Sequence, residues 1–294
     1  MASSHILVGA SLDPARPAIR KITLSDLFNS LGRGIDDFMA MPSHAVFLCI
    51  LYPLLGLFLI SLTLGSAMLP LAFPIAAGFA LVGPIAAIGL YELSRRREAG
   101  LDSSAGHALD VLHSRSLGAI VALGFLLMVI FLVWLAVADA IYVANFGYGA
   151  PASISRFVRD IFDTSAGWNL IVVGTGVGFL FAVAVLTISA ISFPLLLDRD
   201  VGAAVALFTS IRVVAANPLT MAAWGFIVAA LLVIGSIPFF LGLTVVLPVL
   251  GHATWHLYRR AVEPDPNPHP DYQPRERSRR SAADFPAALF PTRR

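Results

Sequence analysis

Charged residues are scarce in this sequence. Only 13% of the 294 residues are Asp, Glu, Lys or Arg, about half of the roughly 25% found in soluble domains. Hydrophobic residues make up 57% of the chain, and the mean hydropathy is +0.81. A chain of this composition has too little polar surface to cover a soluble core, so we predict an integral membrane protein.

The sequence has a single cysteine and lacks the common catalytic motifs. Cys49 is the only cysteine, which excludes an internal disulfide and a cysteine-based metal site. The first twenty residues lack a basic segment followed by an apolar core, so we expect no cleavable signal peptide. The motifs G-x-x-x-x-G-K-[ST], H-E-x-x-H and G-x-S-x-G do not occur. We therefore expect no enzyme, no cofactor and no nucleic-acid partner.

Long apolar runs dominate what is present. Six stretches are long enough to cross a bilayer at about 20 residues each. They cover residues 45–65, 69–93, 117–143, 168–197, 219–236 and 238–258. The last two are separated by the helix-breaking sequence Gly235-Ser236-Ile237-Pro238. Taken in pairs, the six stretches predict an all-α, polytopic membrane helix bundle of three hairpins.

The positive charges alternate between loops. The N-terminal segment, the loops after spans two and four and the C-terminal tail hold 18 of the 20 Lys and Arg residues. The other two, Arg156 and Arg159, lie between spans three and four. Because Lys and Arg accumulate in cytoplasmic loops, we expect a multi-pass protein of the bacterial inner membrane with both termini in the cytoplasm.

An amphipathic segment precedes each predicted hairpin. In residues 23–41, Thr23 and Asp26 form a capping pair. One face of that helix carries Leu24, Leu27, Phe28, Leu31, Ile35, Phe38 and Met39. Residues 103–113 and 200–218 repeat the pattern more weakly. Each segment either covers the bundle or anchors at the membrane surface, and the sequence leaves both open.

Three regions follow from these patterns. Residues 1–22 form an N-terminal cytoplasmic segment that we expect to be disordered, and residues 23–260 form the membrane domain. Residues 261–294 form a tail rich in Pro and Arg that cannot bury a core, so we expect it to be disordered as well.

The second and sixth spans share an internal repeat. At a shift of 164 residues, Pro74 aligns with Pro238 and Pro84 with Pro248. The segment Tyr91-Glu92-Leu93 aligns with Trp255-His256-Leu257, and a pair of arginines follows each of them. We interpret these spans as proline-kinked equivalents, with Trp255 and Tyr258 anchoring the sixth at the membrane interface.

Few ionisable residues lie near the predicted spans, and none lies at a span midpoint. Asp139, near the external end of span three, is a candidate gate or ion site. His252 and His256 share a helix face, and a metal or haem site there would need further ligands from facing helices. Only His44, His107 and His113 could join them, all on the cytoplasmic side, so such a site is the less favoured alternative. His256 aligns with Glu92, so we predict a carboxylate–imidazole contact between these two residues near the cytoplasmic interface.

Several stretches resemble a known family. They are Asp37-Phe38 with Pro42 and His44, Tyr91-Glu92 with Arg95-Arg96-Arg97-Glu98, and the segment from Gly251 to His256. They resemble the bacterial family catalogued as domain of unknown function 2189. The resemblance implies an inner-membrane protein with no established activity.

Two functions remain open from the sequence. The first is a non-enzymatic scaffold or accessory subunit that binds lipid or another membrane protein complex. The alternative is a small-molecule permease or channel that uses the proline-kinked second and sixth spans, with Asp139 at one mouth.

Overall fold

The computed structural model describes residues 17–41, 69–72, 74–75, 83–84, 87–149, 151, 153–238 and 240–265. The α-helices within these ranges are α1 (Leu24–Ala40), α2 (Ile88–Glu98), α3 (Leu117–Phe146), α4 (Ile154–Asp163), α5 (Ser165–Ser189), α6 (Ser192–Asp198), α7 (Gly202–Ala216), α8 (Pro218–Ser236) and α9 (Leu243–Ala261). Two 3₁₀ helices cover Leu69–Leu71 and Ala105–His113. These ranges contain no β-strand, which confirms the all-α prediction for them.

Within the described residues, three segments are long and apolar enough to cross a membrane. They are Leu117–Phe146, Ser165–Asp198 and Pro218–Ser236, at the positions of the predicted third, fourth and fifth spans. The predicted first span, 45–65, lies outside the described residues, as do residues 73, 76–82 and 85–86 of the second. Helix α9 occupies the position of the predicted sixth span, but its polar C-terminal half keeps it out of this group. The arrangement of six spans in three hairpins therefore remains a prediction.

Helix α1 begins at the predicted capping pair. The Thr23 side chain accepts a hydrogen bond from the backbone N–H of Asp26, and the Asp26 side chain accepts one from Thr23. This reciprocal box satisfies two amide groups that the first helical turn would otherwise leave without partners. The start of α1 is therefore determined by local sequence.

The apolar face predicted for α1 is only partly buried against the other described helices. Its most extensive packing is along α9. The buried residues of α1 are Leu27, Ser30, Gly34, Asp37 and Phe38. Leu24, Phe28, Ile35 and Met39, which belong to the same predicted apolar face, are exposed. The buried face is the one that contains Gly34, where the backbones of α1 and α9 approach closely. A side chain would not fit there, because a Cβ on Gly34 would lie 2.7 Å from the carbonyl oxygen of Val249.

The segment 103–113 forms a 3₁₀ helix rather than the predicted amphipathic α-helix. Ala108 and Val111 are buried and lie three residues apart, which is the repeat of a 3₁₀ helix. Leu109 and Leu112 are exposed. This 3₁₀ helix packs closely against α2 at Gly89, because a Cβ on Gly89 would lie only 3.2 Å from the Cβ of Ala108.

A break at Ala190 and Ile191 separates α5 from α6. The Ile191 N–H lies 3.3 Å from the Ser210 hydroxyl, which in turn donates to the Thr187 carbonyl oxygen at 2.7 Å. Helix α7, which carries Ser210, therefore satisfies backbone groups that the break frees. This contact explains why the third predicted amphipathic segment packs against the membrane helices.

The chain before α1 is held against the end of α8. The Ile22 N–H donates to the Asn217 side chain at 2.9 Å, and the Thr220 hydroxyl donates to the Ile22 carbonyl oxygen at 3.1 Å. An isolated antiparallel bridge also joins Ile19 to Val262. Residues 17–22 and 262–265, assigned above to the two terminal segments, thus contact each other and the helical domain.

Candidate functional site

Asp37 is the centre of a buried polar cluster that joins α1, α2 and α9. One carboxylate oxygen, Oδ2, accepts from the Ser94 hydroxyl at 2.5 Å and lies 2.9 Å from His256 Nε2. The other oxygen, Oδ1, accepts from the Arg97 guanidinium. Asp37 and Ser94 are both buried. One carboxylate therefore connects three helices that are distant in sequence.

The environment of Asp37 favours its charged form. Burial by itself raises the pKa of a carboxyl group, because it removes water from the carboxylate. Hydrogen bonds from His256, Ser94 and Arg97 outweigh this effect, and the pKa of Asp37 lies below its usual value of 3.8. Asp37 is consequently a carboxylate at neutral pH, and it holds its donors by charge-assisted hydrogen bonds.

His252 extends the cluster one turn along α9. Its Nδ1 lies 2.8 Å from the Ser94 hydroxyl oxygen. Since Ser94 has one hydroxyl proton and donates it to Asp37, we infer that His252 Nδ1 carries a proton and donates to Ser94. Within the described ranges, His252 Nε2 and His256 Nδ1 are buried without a hydrogen-bond partner.

The two histidines do not by themselves make a metal centre. A structural zinc site needs four ligands, and α9 offers two imidazoles. In the part of the chain that the structure describes, no group of three or more His, Cys, Asp or Glu residues could hold a metal ion. The arrangement instead fits a structural role for both rings.

Glu92 does not bind His256, contrary to our prediction. Its carboxylate accepts two hydrogen bonds from the Arg95 guanidinium, at 2.7 and 2.8 Å, and lies 3.8 Å from Arg96 Nη1. The carboxylate that meets His256 belongs to Asp37 of α1. The repeat could not show this, because it relates α2 to α9 and contains no information about α1, which packs on α9.

The aromatic and basic residues at the end of α9 make further contacts between helices. The Trp255 indole donates to Glu98 at 2.9 Å, and the Tyr258 hydroxyl donates to Asp198 at 2.6 Å. Arg259 lies 3.1 Å from Glu98 and 3.6 Å from Asp198. Trp255 and Tyr258 are each only 1% exposed. They are therefore core residues and not the interfacial anchors we predicted, because α2 and α6 cover them.

An open cleft lies beside the cluster. Its volume is about 340 Å³, and it is lined by Arg33, Asp36, Asp37, Arg97, Glu98 and His256. The lining contains both acidic and basic side chains, so the electrostatic potential of the cleft is not dominated by one sign of charge. Nothing in this lining resembles the nucleophile–base geometry of a catalytic site.

The other predicted site residues lie apart from this cluster. Asp139 is exposed on α3. Pro238 follows the end of α8, whereas Pro248 is buried inside α9. Pro84 is half-buried, and the Pro74 carbonyl oxygen accepts from the Trp134 indole at 3.0 Å. The structure therefore brings together His252 and His256 with Asp37, but it does not bring Asp139 to them.

Three glycines lie close together in α5, at positions 174, 176 and 178. A Cβ on Gly178 would lie 3.0 Å from the Trp134 ring, so this glycine packs closely against α3. Gly174 and Gly176 face open space. Of these three glycines, Gly178 therefore makes the close helix contact within the described residues.

Asp37 and Ser94 are the site residues that sequence reasoning missed. A usable signal existed for Asp37: it lies in helical register with Leu27, Ser30 and Gly34, which together form a narrow face of mostly small residues. Ser94 had no comparable signal, because a lone serine in a helix is ordinary.

Comparison with known proteins gives one match. No curated protein and no solved structure matches the chain. The match found is to a family model and covers residues 72–198, which include the Tyr91–Glu98 motif but neither Asp37 nor the α9 histidines. Over those residues, as the sequence motifs predicted, this chain matches the family of predicted integral membrane proteins catalogued as domain of unknown function 2189.

Proposed function

We propose that this integral membrane protein is a non-enzymatic scaffold or accessory subunit that binds lipid or other membrane proteins. The observation that carries the proposal is the surface of α5. Only 6% of the residues in the most apolar window of Ser165–Asp198 are buried within the chain. A long membrane helix with so little internal packing has most of its surface available to a partner.

One stripe of α5 has the composition of a helix-packing surface. Val172, Gly176, Phe179 and Val183 are exposed and lie at i, i+4, i+7 and i+11, which places them along one face. No atom lies within 4 Å of where a Cβ on Gly176 would be. A glycine between larger apolar residues lets the backbone of another membrane helix approach closely.

The buried charges support a structural role as well. Asp37 and Glu92 each pair with an arginine, and Asp37 also binds His256. A catalytic or ion-coupling carboxylate needs access to substrate, whereas these two groups are occupied by partners from the same chain.

Crosslinking in the membrane tests the scaffold proposal. We expect a photoreactive amino acid at Val172 or Phe179 to give one discrete crosslinked protein in cells, because that stripe is free within the chain. The same amino acid at Val185, which is 5% exposed, is the matched control and should give no intermolecular product. Gentle solubilisation and mass spectrometry would then identify the partner.

The permease alternative predicts a different outcome. A permease would crosslink only to lipid at Val172 and Phe179, would purify alone, and would release small solutes from proteoliposomes. The flux would change on Asp139→Asn if Asp139 lies at a mouth. That combination of results would overturn the scaffold proposal.

The proposed location is the bacterial inner membrane, with both termini in the cytoplasm. We expect reporters fused after Arg97 and after Arg260 to report the cytoplasm, and a reporter at Ser155 to report the periplasm. The reason is the concentration of Lys and Arg on one side of the predicted spans. A reversed result at any of the three positions would contradict the six-span topology.

A further inference from the structure

Helix α1 has three distinct faces. The first packs on α9 and contains Leu27, Gly34 and Asp37. The second is apolar and free: Leu24, Phe28, Ile35 and Met39 are 56%, 65%, 45% and 68% exposed. The third is polar and exposed, and it contains Ser25, Asn29, Arg33 and Asp36. At 3.6 residues per turn, each face takes about a third of the helix circumference.

The position of α1 relative to the spans indicates what covers the apolar face. Asn217 and Thr220, at the first turn of candidate span α8, hold the backbone of Ile22 just before α1 begins. The Lys21 ammonium also donates to the Ala216 carbonyl oxygen. Helix α1 therefore starts beside the start of candidate span α8, which we expect to lie at the level where hydrocarbon gives way to lipid headgroups.

A neighbouring helix at the same level has an apolar surface of the same kind. Helix α7 ends directly before α8, and its Phe208 and Ile211 are exposed. Among the described residues, two helices at this end of the bundle therefore have exposed apolar side chains. A lipid surface is continuous and can cover both.

We propose that the face formed by Leu24, Phe28, Ile35 and Met39 inserts into the boundary between headgroups and acyl chains of the adjacent leaflet. The partner is the bilayer itself, recognised through apolar burial. Helix α1 carries three carboxylates and one guanidinium, so its charge does not favour anionic lipid. Insertion consequently does not require anionic headgroups. This inference refines the lipid-binding part of the proposed function.

Site-specific fluorescence quenching tests the insertion. In a Cys49→Ser background, the full chain carries an environment-sensitive fluorophore on Phe28→Cys or Met39→Cys and is placed in phosphatidylcholine vesicles. Asn29→Cys and Asp36→Cys, on the polar face of the same helix, are the matched controls. We expect several-fold stronger quenching by acyl-chain bromines at Phe28→Cys and Met39→Cys than at the controls, and the opposite order for aqueous iodide.

Two comparisons complete the experiment. Adding phosphatidylglycerol should leave the bromine quenching unchanged, and quenching that depends on anionic lipid would overturn the proposal. Equal iodide access at Phe28→Cys and Asn29→Cys would also overturn it. The proposal would also be overturned if the fluorophore on Phe28→Cys were protected from both quenchers and the unlabelled Phe28→Cys protein formed disulfide-linked dimers. A second copy of the chain would then cover the face. The quenching experiment probes α1 and the crosslinking experiment probes α5. A negative result in one therefore does not contradict the proposal that the other tests.

Discussion

Replacing Asp37 with leucine is expected to lower the free energy of unfolding by about 3–5 kcal/mol, the usual cost of removing one partner from a buried ion pair. The substitution leaves His256 without its hydrogen-bond acceptor and leaves Ser94 and Arg97 without the carboxylate they bind. Thermal unfolding of the protein in detergent, followed by tryptophan fluorescence, would show a correspondingly lower midpoint.

The neighbouring carboxylate provides the control. Asp36 is exposed on the polar face of α1, and Asp36→Leu should change stability by no more than about 0.5 kcal/mol. If Asp37→Leu and Asp36→Leu unfold at the same temperature, the cluster does not hold α1, α2 and α9 together.

The pH dependence gives a second measure of the same cluster. The pKa of Asp37 is lowered in the folded protein from its usual 3.8. A carboxyl group with a lowered folded pKa stabilises the protein fully above its unfolded pKa, and it loses that contribution as pH falls through the folded pKa. We expect the stability difference between wild type and Asp37→Asn to be constant from neutral pH down to about pH 4 and to shrink below it. A difference that grows on acidification would contradict the assignment.

Replacing Gly34 with alanine is expected to destabilise the contact between α1 and α9 by about 1–3 kcal/mol, as overpacking of a filled interface does. The added Cβ would lie 2.7 Å from the Ala253 Cβ, the Ala253 backbone nitrogen and the Val249 carbonyl oxygen. Because two of these atoms are backbone atoms, a helix has to move. The unfolding midpoint in detergent measures the loss.

The same helix contains a matched control. A Cβ on Gly32 would meet no atom within 4 Å, so Gly32→Ala removes only the conformational freedom of glycine. It should stabilise the protein by about 0.5–1 kcal/mol. Adding Ala253→Gly to Gly34→Ala should restore part of the loss, since it relieves the contact between Cβ atoms and leaves those with the backbone. Equal behaviour of Gly32→Ala and Gly34→Ala would show that the close approach does not exist.

Local patterns in the sequence predicted the elements well. The Thr23–Asp26 pair begins α1, and apolar length identifies the candidate spans that contain α3, α5 and α8. These features depend on neighbours in the chain: a capping box is complete within four residues, and a span needs only enough consecutive apolar residues. The family resemblance could also be recognised from the sequence, because a motif such as Tyr91–Glu98 is one continuous stretch of the chain.

The contact partners of the polar side chains could not be predicted from local sequence patterns. The spacing of His252 and His256 placed both on one face of a helix, and the repeat suggested Glu92 as their neighbour. The structure instead joins His256 to Asp37, more than two hundred residues earlier in the chain. It also buries Trp255 and Tyr258, whose sequence context is that of interfacial anchors.

The sequence by itself determined that this is a helical membrane protein, where several helices begin and end, and which residues share a helix face. Only the tertiary structure decided that α1 covers α9, that Asp37 binds His256, Ser94 and Arg97, and that the most apolar face of α1 stays free. The physical reason is that periodicity defines the faces of a helix but not the neighbour of each face. That neighbour depends on shape, and here the absence of a side chain at Gly34 lets α1 approach α9 closely enough for a buried carboxylate to reach its donors.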